Sequence, residues 1–266
     1  MKDKLKQIIY KLFRPIYRPI TRYLRKRLTR NFIDYPEMGL PGPWDFTQLQ
    51  VERRLHEYLH AVREDIGLII IIGANDGAEI PKLRFSYPKS SFICFEPSPK
   101  WFDCLGRNYS GHNGIKLKQL AISDQIGRAT FHELNMPGNG SLLKPNIDDW
   151  ALFNHWENKS VEMFEVEVST LDAQTNEIEC IDLLWVDVQG GEGGVLRGGL
   201  RTLEKTKSVF LEVALERSPY QGALLFQELD STLSSLGFRC VSLGLDPWNY
   251  TGNAFWVKKP ADLVCK

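Results

Sequence analysis

The sequence predicts an α/β fold built on a mostly parallel sheet with helices on both faces. Three observations carry that expectation. From Leu68 onward, strand-sized apolar runs alternate with helical stretches, the pattern of successive strand–helix–strand units. The run Leu68-Ile69-Ile70-Ile71-Ile72 is apolar throughout, as a buried strand of such a sheet is. It leads straight into Gly73-Ala74-Asn75-Asp76-Gly77, a turn of small residues ahead of a helical pattern.

The elements follow in chain order. Residues 1–33 set apolar side chains such as Leu5, Ile9, Leu12, Ile16, Ile20 and Leu24 at helical spacing among basic ones. Pro15 and Pro19 divide that pattern into two short helices. Residues 36–44 are rich in Pro and Gly, so 1–44 reads as a basic amphipathic extension with its linker, and 45–266 as the main domain. Asp45 and Gln48 have the spacing of a helix start, and Leu55, Leu59, Val62 and Ile66 continue one face. Strands are expected at 68–72, 91–95, 116–122, 183–188 and 208–213, and helices near 78–86, 98–109, 194–204 and 221–236. Residues 128–134 and 161–169 read as extra strands around an irregular loop, and 238–243 with 252–258 as a terminal strand pair.

Formal net charge is zero, but the charge is unevenly spread. The first 30 residues hold eleven basic side chains against the single acid Asp3, a net +10, which leaves the rest at −10. An acidic body argues against a nucleic-acid binder. The basic segment suits an anionic membrane surface, or alternatively a neighbouring subunit. Five scattered cysteines without CxxC spacing, and no stretch long enough for a signal peptide or a membrane span, lead us to expect a cytoplasmic protein with reduced thiols.

The chemistry concentrates at strand ends. The Gly73–Gly77 turn opens a helix whose free N–H groups can meet a ligand. About 20 residues later a second strand ends in Phe95-Glu96-Pro97, where an acid is placed to accept both hydroxyls of an adenosine ribose. Asn75 stands where a dinucleotide fingerprint has its middle glycine, which turns the reading from NAD towards S-adenosylmethionine. Ala121-Ile122-Ser123-Asp124 ends a third strand, where an adenine would lie. Asp187 follows a fourth, at the sheet edge where such sites form.

These motifs resemble the FkbM family of S-adenosylmethionine-dependent methyltransferases. The resemblance covers residues 68 to about 257 and rests on Ile72–Gly77, Phe95-Glu96-Pro97, Ala121–Asp124, Ser169–Asp172, Asp182–Glu192 and Phe210–Val213. It implies a seven-stranded class I Rossmann-like fold and methylation of hydroxyls on glycans, polyketides or related small molecules. The cofactor-binding residues it points to are Gly73, Ala74, Asn75, Asp76, Gly77, Glu96, Ser123, Asp124 and Asp187. A sugar hydroxyl is a poor nucleophile at neutral pH, so a base should assist; the candidates are Asp187, then Glu192 and Glu212. Two departures from the family pattern stand out: Ile71 replaces an acid two residues before the first glycine, and Gln189 replaces a Glu.

Two other classes compete. His56-Glu57-Tyr58-Leu59-His60 matches the zinc-protease pattern, but Arg63 replaces the glycine of its extended form and no third histidine follows at the required spacing. No metal is expected. The other alternative is an inactive, membrane-tethered protein that keeps the methyltransferase fold. His112 and His155 lack motif context, and Trp150, Trp156 and Trp248 fall in expected loops, where they could stack on a sugar or fill a small core.

Overall fold

The computed structural model describes residue 55 and residues 66–135, 138–146, 160–245 and 251–258. Contacts divide the chain into two units, Met1–Ile33 and Asp34–Lys266, and every described residue belongs to the second. The expectations for residues 1–44, for His56–His60, and for Trp150, His155, Trp156 and Trp248 lie outside the described residues.

The strands are β1 (Leu68–Ile72), β2 (Ser91–Phe95), β3 (Ile115–Lys118), β4 (Ala121–Ser123), β5 (Gly127–Leu134), β6 (Gly140–Ser141), β7 (Val161–Thr170), β8 (Leu183–Val186), β9 (Ser208–Ala214), β10 (Phe238–Leu245) and β11 (Thr251–Lys258). The helices are α1 (Glu79–Ser86), α2 (Pro99–Tyr109), α3 (Leu171–Gln174), α4 (Glu192–Arg197), α5 (Leu200–Glu204) and α6 (Phe226–Ser235). Seven strands form one sheet in the order β10-β11-β9-β8-β1-β2-β3. β1 pairs in parallel with β2 and β8, β2 with β3, and β8 with β9. β11 runs antiparallel to both β9 and β10. The sheet is therefore mixed, and its strand order reverses beside β1, the switch point where α/β sheets bind ligands.

Strand alternation sorts the core into two layers. Ile69, Ile71, Phe92, Cys94, Leu183, Trp185 and Phe210 share a cluster with Ile80 and Leu83 of α1 and Leu105 of α2. Leu55, helical and buried, joins that cluster. Trp256 points to the other face, where its Nε1 donates to Asp230 of α6 at 2.8 Å. Lys258, on the same side of β11, donates to the Leu203 and Glu204 carbonyls of α5. Helices thus cover both faces of the sheet.

Three elements differ from expectation. The single strand expected at 116–122 is two strands in different sheets. β3 closes the edge of the large sheet, and β4 joins a second sheet of order β4-β7-β5-β6. The helix expected at 194–204 breaks at Gly198-Gly199. A Cβ at Gly198 would lie 2.0 Å from the Ser123 carbonyl oxygen, so the close approach of this turn to β4 demands glycine, and glycine interrupts the helix. The helix expected at 221–236 is confined to Phe226–Ser235, because the preceding chain pairs elsewhere: Tyr220 bridges to Pro145 and Gln221 N donates to the Lys144 carbonyl.

The Gly198 contact fixes β4 against α4, so Gly198→Ala is expected to destabilise the protein by about 1–3 kcal/mol or more. Urea unfolding checks this. An unchanged midpoint would mean that the turn relaxes away from Ser123 without cost.

Candidate active site

A cavity of about 340 Å³ opens at the carboxyl ends of β1, β2 and β8. The second sheet, through β4 to β6, supplies its other wall. The cavity exists because β1 and β8 end against each other. Asp187 N donates to the Ile72 carbonyl at 3.0 Å, and Gly73 N and Ala74 N both donate to the Phe95 carbonyl. A Cβ at Gly73, whose φ is +81°, would lie 1.8 Å from the Asp187 carbonyl oxygen. Only glycine permits that approach.

The expected cofactor residues divide in two. Gly73, Asn75, Asp76, Glu96, Ser123, Asp124 and Asp187 line the cavity; Ala74 and Gly77 do not. Ala74 packs in the core beneath the loop, and Gly77 turns its carbonyl to the Tyr109 hydroxyl at 3.0 Å. Those two shape the loop.

Glu96 holds the turn from below. One carboxylate oxygen accepts Asn75 N at 2.7 Å and the other accepts Ser98 N at 2.9 Å. Burial raises the Glu96 carboxyl to about 7, against those two backbone donors, and nearby Glu133 and Asp187 push the same way. Glu133, buried on β5, accepts the Ser98 hydroxyl and so couples the second sheet to this corner. Asn75 has φ +48°, and its Oδ1 is buried without a hydrogen-bond partner.

Ser123 and Asp124 reach the cavity from β4, so they belong to the second sheet and not to the third strand of the large one. Asp124 accepts Arg197 Nε at 2.8 Å. Asp76 caps the start of α1 by accepting Ala78 N at 3.2 Å, and Glu79, raised chiefly by burial, lines the cavity beside it. Ile71 points into the core instead. The position where the family pattern has its acid therefore faces apolar side chains, and the carboxylates lining this end are Asp76 and Glu79.

The three candidate bases are not equivalent. Asp187 lines the cavity. Glu212, from β9, lies beside it, and Gln189 Nε2 donates to one carboxyl oxygen of each at 2.7 Å. Burial raises both carboxyls, and the Asp187 charge raises Glu212 further, well above the usual range. Glu192 is turned away from the cavity. It accepts Val188 N at 3.2 Å and Gly190 N at 3.3 Å, and burial raises it to about 7. Glu192 stiffens the loop that carries Asp187.

Sequence reasoning did not single out Glu133, Arg197, Tyr220 or the Leu142-Leu143 and Leu224 walls, all of which sit outside the recognised motifs. His112 stands at the far end of α2, edge-on to Tyr109, and does not line the cavity.

Residues 72–240 match the family described as the Methyltransferase FkbM domain. The chain belongs to that family. It is 29% identical over 217 residues to the 2-O-methyltransferase NoeI of Sinorhizobium fredii, covering 70% of this chain and 86% of that protein. It is 30% identical over 153 residues to Methyltransferase sdnD of Sordaria araneosa, covering 49% of this chain and 59% of that protein. Among solved structures it is similar to magnesium protoporphyrin IX methyltransferase (ChlM) from Synechocystis PCC 6803 with bound SAM, at TM-score 0.46 and 12% identity, over 80% of this chain and 79% of that one.

An FkbM methyltransferase uses S-adenosylmethionine, and the residues here fit it. Gly73 and Asn75 of the turn line the cavity. The unpartnered Asn75 oxygen accepts a donor that the protein does not supply. Each Glu96 oxygen has a lone pair left after its one backbone bond, enough for two ribose hydroxyls. Five acids (Asp76, Glu79, Glu96, Asp124 and Asp187) line the cavity, and Arg197, bound by Asp124, is the one Lys or Arg among the described lining residues. That field favours a sulfonium cation.

Ribose hydroxyls bound at Glu96 would require its ionised form, so binding there would hold in charged form a carboxyl that burial raises to about 7. Cofactor affinity is therefore expected to weaken as pH falls below that value, by up to about tenfold per unit. Glu96→Gln should raise the Kd about ten- to hundredfold and flatten the pH dependence. Calorimetric titrations across that range check both; a pH-independent Kd in the native protein would remove Glu96 from the ribose.

Proposed function

We propose that this FkbM enzyme methylates a hydroxyl oxygen of a sugar, a glycan or a related small molecule. The observation that carries the reading is Asp187, an ionisable carboxylate on the cavity wall, tied through Gln189 to Glu212, which is outside the lining. Transfer to oxygen leaves a proton to be removed, and a carboxylate in a cavity poor in cations is suited to take it. The name of the 2-O-methyltransferase relative supports an oxygen acceptor. The cavity lining also includes the apolar Leu142, Leu143 and Leu224 together with Gly138, Gly140 and Gly222. That combination suits a sugar ring, which has apolar faces and polar edges.

Bound S-adenosylmethionine supplies an activated methyl group, whose bond to sulfur breaks with the electron pair left on sulfur. The chain's own residues hold the cofactor by Glu96 and the Gly73 loop, keep the acceptor oxygen beside Asp187, and take its proton there. Holding both partners in one cavity supplies much of the rate gain by proximity.

The acidic body and the +10 segment support a peripheral position on the cytoplasmic face of an anionic membrane, near a lipid-carried glycan. Near such a surface each basic residue contributes about 1 kcal/mol, decaying within a Debye length.

Methyl-labelled cofactor incubated with free and lipid-linked glycans tests the chemistry, and mass spectrometry locates the methyl. An ether at a sugar hydroxyl is the expected product, and label found only on carbon or nitrogen would overturn the reading. For the membrane, the full chain should sediment with anionic but not neutral vesicles, less so at high salt. A chain starting at Asp34 should stay in solution; equal behaviour of the two would defeat the docking idea alone.

A further inference from the structure

Gln189 is the one polar residue on this wall whose side chain touches both members of the Asp187–Glu212 pair through a single atom. Its Nε2 donates to Asp187 Oδ1 at 2.7 Å and to Glu212 Oε2 at 2.7 Å. The amide orientation is set by the other end. The Tyr220 hydroxyl lies 3.3 Å from Gln189 Oε1 and 3.4 Å from the Asn139 carbonyl, offering its proton between them. Turning the amide over would aim its oxygen at two carboxyls. Gln189 also sits at φ +55°, a conformation that side chains beyond glycine rarely adopt, so the surroundings hold it there against a backbone cost.

We propose that Gln189 is a positioning residue for the methyl-transfer reaction: its amide clamps Asp187 to Glu212 and holds the Asp187 carboxylate facing the acceptor as the base. The inference rests on the oxygen-acceptor reading above. An amide is suited to the task because it donates two hydrogens to two carboxyls and does not titrate. A Glu there would put a third carboxyl on the pair and require a further proton or cation. Gln189 donation is one of the influences that favour ionised Asp187, against burial. The titratable groups facing the pair are Glu79 on α1, Glu96 after β2, Glu192 on α4 and the Tyr220 phenol; the Asp187 charge raises each of them, and Glu192 in turn raises Glu212. No basic side chain is among these described groups, which leaves the neutral amide as the counterweight.

The test uses the full chain and its isosteric variant Gln189→Glu, with Gln189→Ala as a second variant that removes the amide without adding charge. Carboxyl-selective ¹³C NMR titration of the cofactor-free proteins reads the pair directly, and kcat against pH reads its consequence. Both variants are expected to move the pair's lower titration upward by about one unit or more, Gln189→Glu further than Gln189→Ala. The acid limb of kcat should move with it, costing about tenfold near neutral pH while cofactor Kd stays within about threefold. A space-filling role would be preserved in Gln189→Glu, so unchanged NMR titrations there overturn the proposal whatever the acceptor is. A shifted titration with an unmoved kcat limb on a hydroxyl acceptor also overturns it. Transfer only to non-hydroxyl acceptors, with the titration shifted, counts against the oxygen reading and leaves the clamp itself intact.

Discussion

The site depends on how closely two loops meet at the end of β1. With no side chain at Gly73, the Asp187 main chain can hydrogen-bond to Ile72, and the same turn can hydrogen-bond to Phe95. Three neighbouring strands are thereby joined at their carboxyl ends by backbone alone. Everything that lines the cavity on this side inherits its position from that junction. Glu96 lies one residue beyond Phe95, Asp187 one beyond β8, and Asn75 two beyond Gly73. The parallel sheet supplies the register, and the glycine allows the ends to converge. A larger residue would push β8 away from β1 and carry the base out of the cleft.

The junction concentrates negative charge, and how the protein tolerates that charge explains most of the local geometry. Buried carboxylates without cations are costly. Here the offset comes mainly from backbone donors: Asn75 and Ser98 to Glu96, Val188 and Gly190 to Glu192. Asp182, at the opposite end of β8, shows the other solution. It takes Gly67 N, Leu68 N and the Lys207 ammonium, and those bonds hold it below the usual carboxylate range. Asp182 is thus fixed by a buried ion pair, whereas Glu96 and Glu192 at the cavity end rely on backbone donors.

Much of this was legible in the sequence. The apolar run 68–72, the motif ends at Glu96 and Asp187, and the terminal strand pair are local patterns, and each forms where its pattern falls. What the sequence did not reveal depends on contacts between distant segments. Nothing in Ile115–Ser123 marks the point at which the chain leaves one sheet for another, since both halves carry strand-forming residues. The interruption at Gly198-Gly199 reflects the nearness of Ser123, some 75 residues away. Gln189 was visible as a departure from the family pattern, but its meaning required Tyr220 and Glu212, neither of which is near it in the chain.

That departure bears on whether the fold is catalytic or merely retained. A protein kept only as a scaffold would gain stability by losing the buried carboxyl pair, the left-handed backbone at Gln189 and the unpartnered oxygen of Asn75, because each lowers stability with no structural return. All three instead occur together at or beside one cavity, at the carboxyl ends of the sheet strands. Substituting Gln for Glu at 189 removes one carboxyl from the cluster and retains hydrogen bonds to the other two. The change therefore relieves electrostatic strain while leaving Asp187 and Glu212 held together at the cavity, where a perturbed carboxyl pair marks a candidate functional site.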